Sequence, residues 1–284
     1  MLSIVKRKAE LQSLLKNQRN KKLSIGFVPT MGALHNGHLS LVENACREND
    51  ICVVSIFVNP TQFNDPKDFE RYPRITDKDI EKLKETGCHL VYIPKVEDIY
   101  ENNIFDLIRI DLGILGQTLE AQYRPGHFDG VVTIVKKLFD IVEPHKAYFG
   151  QKDYQQYLVI KKMADYFKYN IEIKALPTIR EKDGLAMSSR NMLLNKEERN
   201  FAPEIYKSLL KAKEILHKKS ITEIRKTAIA HLCRNEIVRM EYFEILDADT
   251  FTPIKSVNQA SEVIICTALK LGQIRLIDNI LLKN

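Results

Sequence analysis

The feature that most constrains the fold is the alternation of short apolar segments with longer amphipathic segments over residues 1–180. Residues 23–28, "LSIGFV", and 51–58, "ICVVSIFV", are almost wholly apolar, as strands covered on both faces are. Further strand-like segments follow at 89–94, 146–150 and 171–177, and helical patterns lie between the strands at about 38–48, 76–86, 127–142 and 153–168. Repeated strand and helix predict an α/β fold, a doubly wound parallel sheet with helices on both faces.

The pattern changes after residue 180. Two long helical patterns, 195–219 and 221–237, precede three strand-like segments with tight connections at 241–249, 261–269 and 272–282. A run of helices followed by a run of strands predicts a small α+β domain.

We therefore expect two domains, 1–180 and a smaller one over 181–284 that closes over a cleft. Parallel sheets bind ligands at the carboxyl ends of their strands, so the segments "PTMGALHNGH", "NPTQF" and "FGQKDYQQ" are expected on one rim, because each follows a strand. The loop "REKDGLAMSSRN" at 180–191 is expected at the interdomain cleft, a common location for ligands.

Composition narrows the class of protein. The 284 residues are 44% hydrophobic and 28% charged, as in ordinary globular proteins. The net charge of +6 favours anionic substrates, but the basic residues form no concentrated stripe, so we expect no nucleic-acid partner. The N-terminus is typical of an amphipathic helix rather than a signal peptide, and no apolar run approaches the roughly 20 residues of a membrane helix. Five cysteines without C-x-x-C spacing fit reduced thiols in the cytoplasm.

Two histidines, His35 and His38, follow the first apolar strand. A catalytic zinc site needs three protein ligands, commonly with H-E-x-x-H, so metal binding is disfavoured here. A purely structural role, in which at least one of the two imidazoles packs in the core, stays open. An anion site fits better, because a helix that begins after Gly37 offers unpaired N–H groups, and Gly32 and Gly37 allow a close backbone approach. The chain contains neither G-x-G-x-x-G nor G-x-x-x-x-G-K-[ST].

The segment H-x-G-H after a first strand resembles the HIGH-type motif of nucleotidyltransferases and class I aminoacyl-tRNA synthetases. "MSSR" at 187–190 resembles the mobile second motif of that superfamily, with an arginine in place of the more familiar lysine. A longer ordered set resembles the pantothenate synthetase (pantoate–β-alanine ligase) family: "PTMGALHNGH", "SIFVNPTQF", "YPR", "YRPGHFDGV", "FGQKDYQQ" and "DGLAMSSRN". The resemblance covers the N-terminal domain and the cleft loop, whereas the C-terminal domain matches mainly in length and layout.

The resemblance implies a Rossmann-like N-terminal domain and an AMP-forming ligase of pantothenate biosynthesis. In such enzymes the pantoate carboxylate attacks the α-phosphate of ATP, which gives pantoyl adenylate and pyrophosphate. The amine of β-alanine then attacks the activated carbonyl, which gives pantothenate and AMP. The resemblance also implies a cytoplasmic homodimer and Mg²⁺ as cofactor.

The resemblance further assigns site residues. It implies catalytic roles for His38, as proton donor toward the departing pyrophosphate, and for His35, Lys152 and Arg190. It implies ATP contacts from Met31, Gly32, Ala33, Leu34, His35, Asn36, Gly37, His38, Gly150, Gln151, Lys152, Asp153, Ile179 (through its backbone), Met187, Ser188, Ser189 and Arg190. It implies pantoate and β-alanine contacts from Gln62, Gln156, Pro29, Thr30, Asn59 and Arg124.

The resemblance implies a magnesium role for Asp79 alone. This role would be exercised through the ATP phosphates rather than by direct ligation of the ion. Two positions depart from the family pattern. Ile75 follows "YPR" where the family commonly has threonine, and Lys78 lies in "TDKDI", an acidic stretch that helps to hold magnesium in relatives.

Three other functions stay open from the sequence. The nearest is another small-molecule nucleotidyltransferase that has no amine step. The pI of about 8.9 suggests a tRNA-interacting, synthetase-like protein, although a chain of this length lacks an anticodon-binding region. The third is a nucleotide-binding regulator without catalytic activity.

Overall fold

In the computed structural model, which describes residues 2–100 and 103–283, the chain divides into two compact units, Met1–Pro177 and Thr178–Asn284. No helix within the described residues is long and apolar enough to cross a membrane. The predicted closure of the second domain over a cleft stays a prediction.

The first unit is built on a six-stranded sheet in which all strand pairs are parallel. The strands are β1 (Ser3–Val5), β2 (Ile25–Thr30), β3 (Ile51–Ile56), β4 (Leu90–Tyr92), β5 (Lys146–Gly150) and β6 (Glu172–Leu176). Their spatial order is β1-β4-β3-β2-β5-β6. The predicted doubly wound parallel sheet is therefore confirmed.

Helices connect these strands: α1 (Lys8–Asn20), α2 (Asn36–Glu48), α3 (Pro66–Arg71), α4 (Thr76–Lys84), α5 (Val96–Ile99), α6 (Glu120–Tyr123), α7 (His127–Val142) and α8 (Tyr154–Tyr166). Short 3₁₀ turns lie at Pro60–Gln62, Gly113–Gly116 and Gln151–Asp153. Apolar side chains of α2 and α4, among them Val42 and Leu83, pack with Val54 and Val91 of the sheet. Burying each such side chain stabilises the fold by about 1.5–3 kcal/mol.

The N-terminus differs from the prediction. Residues 8–20 are helical as expected, but Ser3–Val5 form a strand that pairs with Leu90–Tyr92 of β4. Helical periodicity cannot reveal this pairing, because it depends on the open edge of a strand more than 80 residues away in sequence. The prediction of a helix over the first residues was wrong for this reason.

The order of the strands reverses between β2 and β5. The chain runs from β2 outward through β3 and then returns to the other side at β5, so the neighbouring strands β2 and β5 form the switch point at which doubly wound sheets bind ligands. β3, β2 and β5 are adjacent and parallel, so the three segments that follow them share one edge of the sheet. The predicted common rim is confirmed.

The second unit is a small α+β structure, as predicted. Its elements are α9 (Lys196–Phe201), α10 (Glu204–Ile215), α11 (Ile221–Leu232), β7 (Val238–Asp247), β8 (Glu262–Leu271) and β9 (Ile274–Lys283). The three strands form an antiparallel sheet in the order β7-β8-β9, and the helices precede it in the chain. The single helix predicted over 195–219 is two helices, because Pro203 lacks the N–H group that a continuous helix would need there.

Candidate functional site

The turn between β2 and α2 carries the two histidines. Thr30, the last residue of β2, donates its hydroxyl to the Ser55 carbonyl and accepts the N–H of Gly32 at 3.2 Å. Gly32 and Ala33 then adopt left-handed backbone angles, with φ of 77° and 50°. A glycine takes this conformation freely, whereas an alanine takes it only where its surroundings hold it.

Asp79 and Lys82 of α4 bind this turn. Asp79 is buried, and its two carboxylate oxygens accept the N–H groups of Ala33 at 2.8 Å and Leu34 at 2.7 Å. The Lys82 ammonium donates to the carbonyl of Leu34. Burial raises the pKa of Asp79, against the opposing effect of the two amides and of Lys82.

Four other amides of this turn fall into two groups. Those of Ala33 and Leu34 face Asp79, inside the protein. Those of Asn36 and Gly37, the first two residues of α2, have no acceptor among the residues that the structure describes. Unpaired N–H groups at the start of a helix, with the positive end of its dipole, favour an anion.

The rings of His35 and His38 stack, with centroids 4.0 Å apart and planes inclined by 32°. The N–H of His35 points to Nδ1 of His38 at 3.4 Å, which assigns the ring proton of His38 to Nε2. Nδ1 of His35 is buried and has no hydrogen-bond partner among the described residues. Both residues keep some exposed surface, although most of each ring is buried.

Burial lowers the pKa of both histidines. It brings the pKa of His35 to about 2, with further lowering by the charges of His38, Lys152 and Lys82. It brings the pKa of His38 to about 4, where Asp153 opposes the effect and Lys152 and Lys82 add to it. Both imidazoles are therefore neutral N–H donors at pH 7.

These electrostatic effects also show which residues come together. Lys152 and Asp153 lie in the 3₁₀ turn directly after Gly150, the end of β5. Because the charge of Lys152 acts on both histidines and that of Asp153 acts on His38, residues that follow both strands of the switch point lie close together. Sequence reasoning placed these four side chains on one rim, and the structure brings them together there.

A second group surrounds Gln62, at the end of the 3₁₀ turn after β3. The Gln62 side chain is buried, and its Nε2 donates to Sδ of Met31 at 3.0 Å. Its Oε1 accepts from Nδ2 of Asn59 at 3.2 Å. Sulfur is a weak acceptor, so the Gln62 amide can exchange this bond for a better one.

The Asn59 side chain uses its whole hydrogen-bonding capacity within the protein. Its Nδ2 donates to Gln62 and to the Gly130 carbonyl, and its Oδ1 accepts the hydroxyls of Tyr100 at 2.7 Å and Thr61 at 3.1 Å. An asparagine amide has two donors and two acceptor positions, and all four are occupied. Asn59 therefore holds Gln62 in this structure, and its contact with substrate, expected from the resemblance, stays a prediction.

The backbone of Gln62 is fixed from the start of α7. His127 donates Nδ1–H to the Gln62 carbonyl at 2.8 Å, which leaves its Nε2 to accept from Arg124 at 3.0 Å. Arg124 also pairs with Glu120 at 3.5 Å. Arg124 thus supports the Gln62 segment through His127.

The two adjacent glutamines of "DYQQ" take different roles. Gln155 is buried, donates to the carbonyls of Leu115 and Thr118, and accepts the N–H of Glu120. Gln156 is only partly buried, lies in the first turn of α8, and makes no side-chain bond to any described residue. Gln156 is therefore the one able to meet a ligand.

In the second unit, the segment before α9 forms a compact loop. Arg180 and Ala186 form an antiparallel bridge, and the N–H of Met187 donates to the Ile179 carbonyl at 3.0 Å. Ser188 caps the following 3₁₀ turn, Ser189–Leu193, by accepting the N–H of Arg190. The predicted set Ile179, Met187, Ser188, Ser189 and Arg190 thus lies on one short, hydrogen-bonded segment.

Arg180 holds this loop on its own unit. Its guanidinium makes a two-pronged ion pair with Asp278 at 2.6 and 3.0 Å and donates to the Gly184 carbonyl. It also stacks 3.6 Å above the ring of Tyr206. A planar, bidentate and stacked guanidinium of this kind is not replaceable by lysine.

Sequence reasoning did not assign the supporting contacts of four residues: Asp79 as an anchor of the turn, Lys82, Tyr100 and His127. Asp79 and Lys82 are three residues apart on a predicted helix, and this spacing indicates that they share one helix face. His127 was visible in "RPGHF", but its bond to Gln62 joins residues 65 apart in sequence.

Comparison with known proteins shows to which family the chain belongs. The sequence model of the family described as Pantoate-beta-alanine ligase matches residues 3–281. A relative named pantothenate synthetase, from Fervidobacterium nodosum, is 45% identical over 275 residues, which cover 96% of either chain.

Two solved structures are also similar. The crystal structure of pantothenate synthetase from Thermus thermophilus matches with a TM-score of 0.91 at 40% identity, over 98% of each chain. That of pantoate-beta-alanine ligase from Francisella tularensis, complexed with beta-gamma ATP and beta-alanine, matches with a TM-score of 0.83 at 36% identity, over 99% of this chain and 98% of that one.

Proposed function

This chain belongs to the pantoate–β-alanine ligase family, and we propose that it condenses pantoate with β-alanine in an ATP-dependent reaction that releases AMP and pyrophosphate. The observation that carries the proposal is the gathering of His35, His38, Lys152 and Asp153 at the β2–β5 switch point, beside the unpaired amides that begin α2.

In the first step, a pantoate carboxylate oxygen attacks the α-phosphorus of ATP. The bond from that phosphorus to the bridging oxygen breaks, and pyrophosphate leaves with the electron pair. The chain need supply no nucleophile, since its task is to position two anions and to offset their charge. Lys152 and Arg190 are the proposed cations, with Gly150, Gln151 and Asp153 lining the nucleotide after β5.

The two histidines act on the triphosphate. As neutral imidazoles they donate N–H groups to phosphoryl oxygens, and such preorganised donors are worth about 3–4 kcal/mol of barrier each. A triphosphate beside His38 favours the protonated ring and so raises its pKa from the low value of the free protein. We propose that His38 then protonates the departing pyrophosphate from Nε2, with His35 stacked against it.

Pantoate is proposed to lie between Gln62 and Gln156. Uncharged amides bond its hydroxyls and carboxylate without burying a further charge. Pro29 and Thr30, at the end of β2, and Met31, whose sulfur holds the Gln62 amide, border this pocket. Asn59 and Arg124 act on it through Gln62.

In the second step, the amine of β-alanine attacks the acyl carbon of pantoyl adenylate. A C–N bond forms, the C–O bond to AMP breaks, and the ammonium proton is lost to solvent. The structure of the Francisella tularensis relative, which is a complex with beta-gamma ATP and beta-alanine, supports this second substrate. Gln62 is proposed to face the amine as well as pantoate.

Residues of the second unit are also proposed to bind ATP, as the family resemblance implies. Ser188, Ser189 and Arg190 would grip phosphate oxygens, because a forked guanidinium and hydroxyls suit them. Met187 and the backbone of Ile179 would lie against the adenine. The ion pair of Arg180 with Asp278 joins this loop to β9.

The family also implies Mg²⁺, and the fit of Asp79 to that ion is poor. Asp79 is 1% exposed, and each of its oxygens already accepts a main-chain N–H, with the Lys82 ammonium nearby. Mg²⁺ prefers an octahedral shell in which several waters remain, which such a position does not offer. We therefore propose that Mg²⁺ arrives on the ATP phosphates, and we assign no residue of the chain to it. The protein is further proposed to be a cytoplasmic homodimer.

ATP–pyrophosphate exchange tests the proposal. Exchange should require pantoate, and subsequent addition of β-alanine should yield pantothenate and AMP in equal amounts. Exchange with another acid or alcohol and no amide product would favour a different nucleotidyltransferase. ATP binding without turnover would favour a regulator, and RNA affinity that falls steeply with salt would favour a synthetase-like protein.

A further inference from the structure

One helix, α4, fixes three successive peptide groups of the turn between β2 and α2. Asp79 accepts the N–H groups of Ala33 and Leu34, and Lys82, three residues further along the same helix face, donates to the Leu34 carbonyl. The N–H group and the carbonyl group of Leu34 therefore both find their hydrogen-bond partners on α4.

The turn needs this support because its backbone is unusual. Gly32 and Ala33 have consecutive positive φ angles, and alanine rarely adopts one. A Cβ placed on Gly32 would lie 3.0 Å from Oδ2 of Asp79, so the carboxylate is in close contact with the turn. Without the carboxylate, the buried N–H groups of Ala33 and Leu34 would lose these two charge-assisted hydrogen bonds, which is costly.

The same geometry speaks against a metal-ligand role for Asp79. Its oxygens are engaged and buried, and the basic residues Lys78 and Lys82 lie on either side of it in the sequence. The positive charge of Lys82 also acts on His35 and His38, because it lowers the pKa of both imidazoles.

We propose that Asp79 and Lys82 are positioning residues that hold the turn in the shape that binds the triphosphate, and that neither is a magnesium ligand. The inference rests on the proposed function, because it takes the turn as the triphosphate site. Asp79 acts through the backbone of Ala33 and Leu34, whereas Lys82 acts both through Leu34 and through its charge.

The test compares ATP binding to the full chain with and without metal. Calorimetry on Asp79→Asn and Lys82→Met, without pantoate, is run in EDTA and again in saturating Mg²⁺. In Asp79→Asn, the new amide N–H₂ group faces a main-chain N–H, and the charge-assisted hydrogen bonds are lost. ATP should therefore bind about 10- to 100-fold more weakly, both in EDTA and in Mg²⁺. Lys82→Met should bind about tenfold more weakly in both conditions.

The matched control is Lys84→Met, which removes one exposed positive charge from the same helix and should bind ATP like the wild type. Lys82→Arg keeps donor and charge and should restore most of the affinity.

Two results would overturn the inference. The first is an Asp79→Asn protein that binds ATP normally in EDTA and weakly only in Mg²⁺, or whose half-saturating Mg²⁺ rises, since either marks a metal ligand. The second is wild-type affinity in Lys82→Met, which decides the matter even if Asp79→Asn fails to fold. A failure of the proposed function would be detected by a different measurement, namely that the wild-type protein makes no pantothenate from ATP, pantoate and β-alanine.

Discussion

The substitution Gly130→Ala tests how tightly α7 holds the Gln62 segment. A Cβ on Gly130 would lie 2.3 Å from the Thr61 carbonyl oxygen, 2.6 Å from the Thr61 carbonyl carbon and 2.7 Å from Cα of Gln62. Ordinary contact begins near 3.4 Å, so the 3₁₀ turn Pro60–Gln62 must move by about 1 Å. Backbone atoms cannot rotate away as a side chain can, and such overpacking costs about 1–3 kcal/mol of stability.

The functional effect should exceed the loss of stability. A displacement of about 1 Å at a substrate-positioning residue can lower the rate about 10²-fold. Pantoate-dependent ATP–pyrophosphate exchange should therefore fall by that order, and the KM for pantoate should rise much more than the KM for ATP. Urea unfolding gives the stability of the same preparation.

Val142→Ala provides the matched control at the other end of α7. Val142 is fully buried, so its truncation should cost about 2 kcal/mol, but it lies about 18 Å along the helix from Gly130. It should therefore lose stability and keep the wild-type KM for pantoate. Gly130→Ala with an unchanged pantoate KM, or with an equal rise in both KM values, would refute the reasoning.

Three further predictions concern the site. His38→Ala should leave the melting temperature nearly unchanged and lower adenylation about 10²- to 10³-fold in the exchange assay; a large loss of thermal stability would instead point to a packing role. Gln62→Ala and Gln156→Ala should weaken pantoate binding, measured by calorimetry, much more than ATP binding, and equal weakening would remove them from the pantoate pocket. The lowered pKa of both histidines means that the unfolded chain takes up protons below about pH 6.5 that the folded chain does not, so the unfolding free energy should fall from pH 6.5 toward pH 4. His35→Asn should flatten that slope in urea titrations, and an unchanged slope would show that His35 does not contribute.

The sequence was sufficient for the parts of the fold that depend on local pattern. Strands covered on both faces read as apolar runs, and the order strand, helix, strand implies a parallel sheet whose carboxyl ends share an edge. The rim that joins His38 to Lys152 could therefore be predicted without coordinates. The strand Ser3–Val5 could not, because three residues carry no period and their partner is β4.

Residue roles were harder to predict than residue positions. Gln155 and Gln156 are identical in type and adjacent, yet the path of α8 buries one against the Leu115–Thr118 backbone and leaves the other able to meet a ligand. Asp79 carried an expected metal role, whereas its bonds to Ala33 and Leu34 join residues 46 and 45 apart in sequence. Such contacts follow from the packing of α4 on the turn, which no pattern within either segment reveals.

The central claim is that a carboxylate of pantoate becomes bonded to the α-phosphorus of ATP held at the turn after β2. The most direct measurement supplies pantoate with ¹⁸O in its carboxylate, together with ATP and β-alanine, and follows the label by mass spectrometry. The account predicts one ¹⁸O atom in each AMP and none in pyrophosphate, because the amine releases AMP with the oxygen that attacked phosphorus. Unlabelled AMP, or label in pyrophosphate or inorganic phosphate, would contradict it.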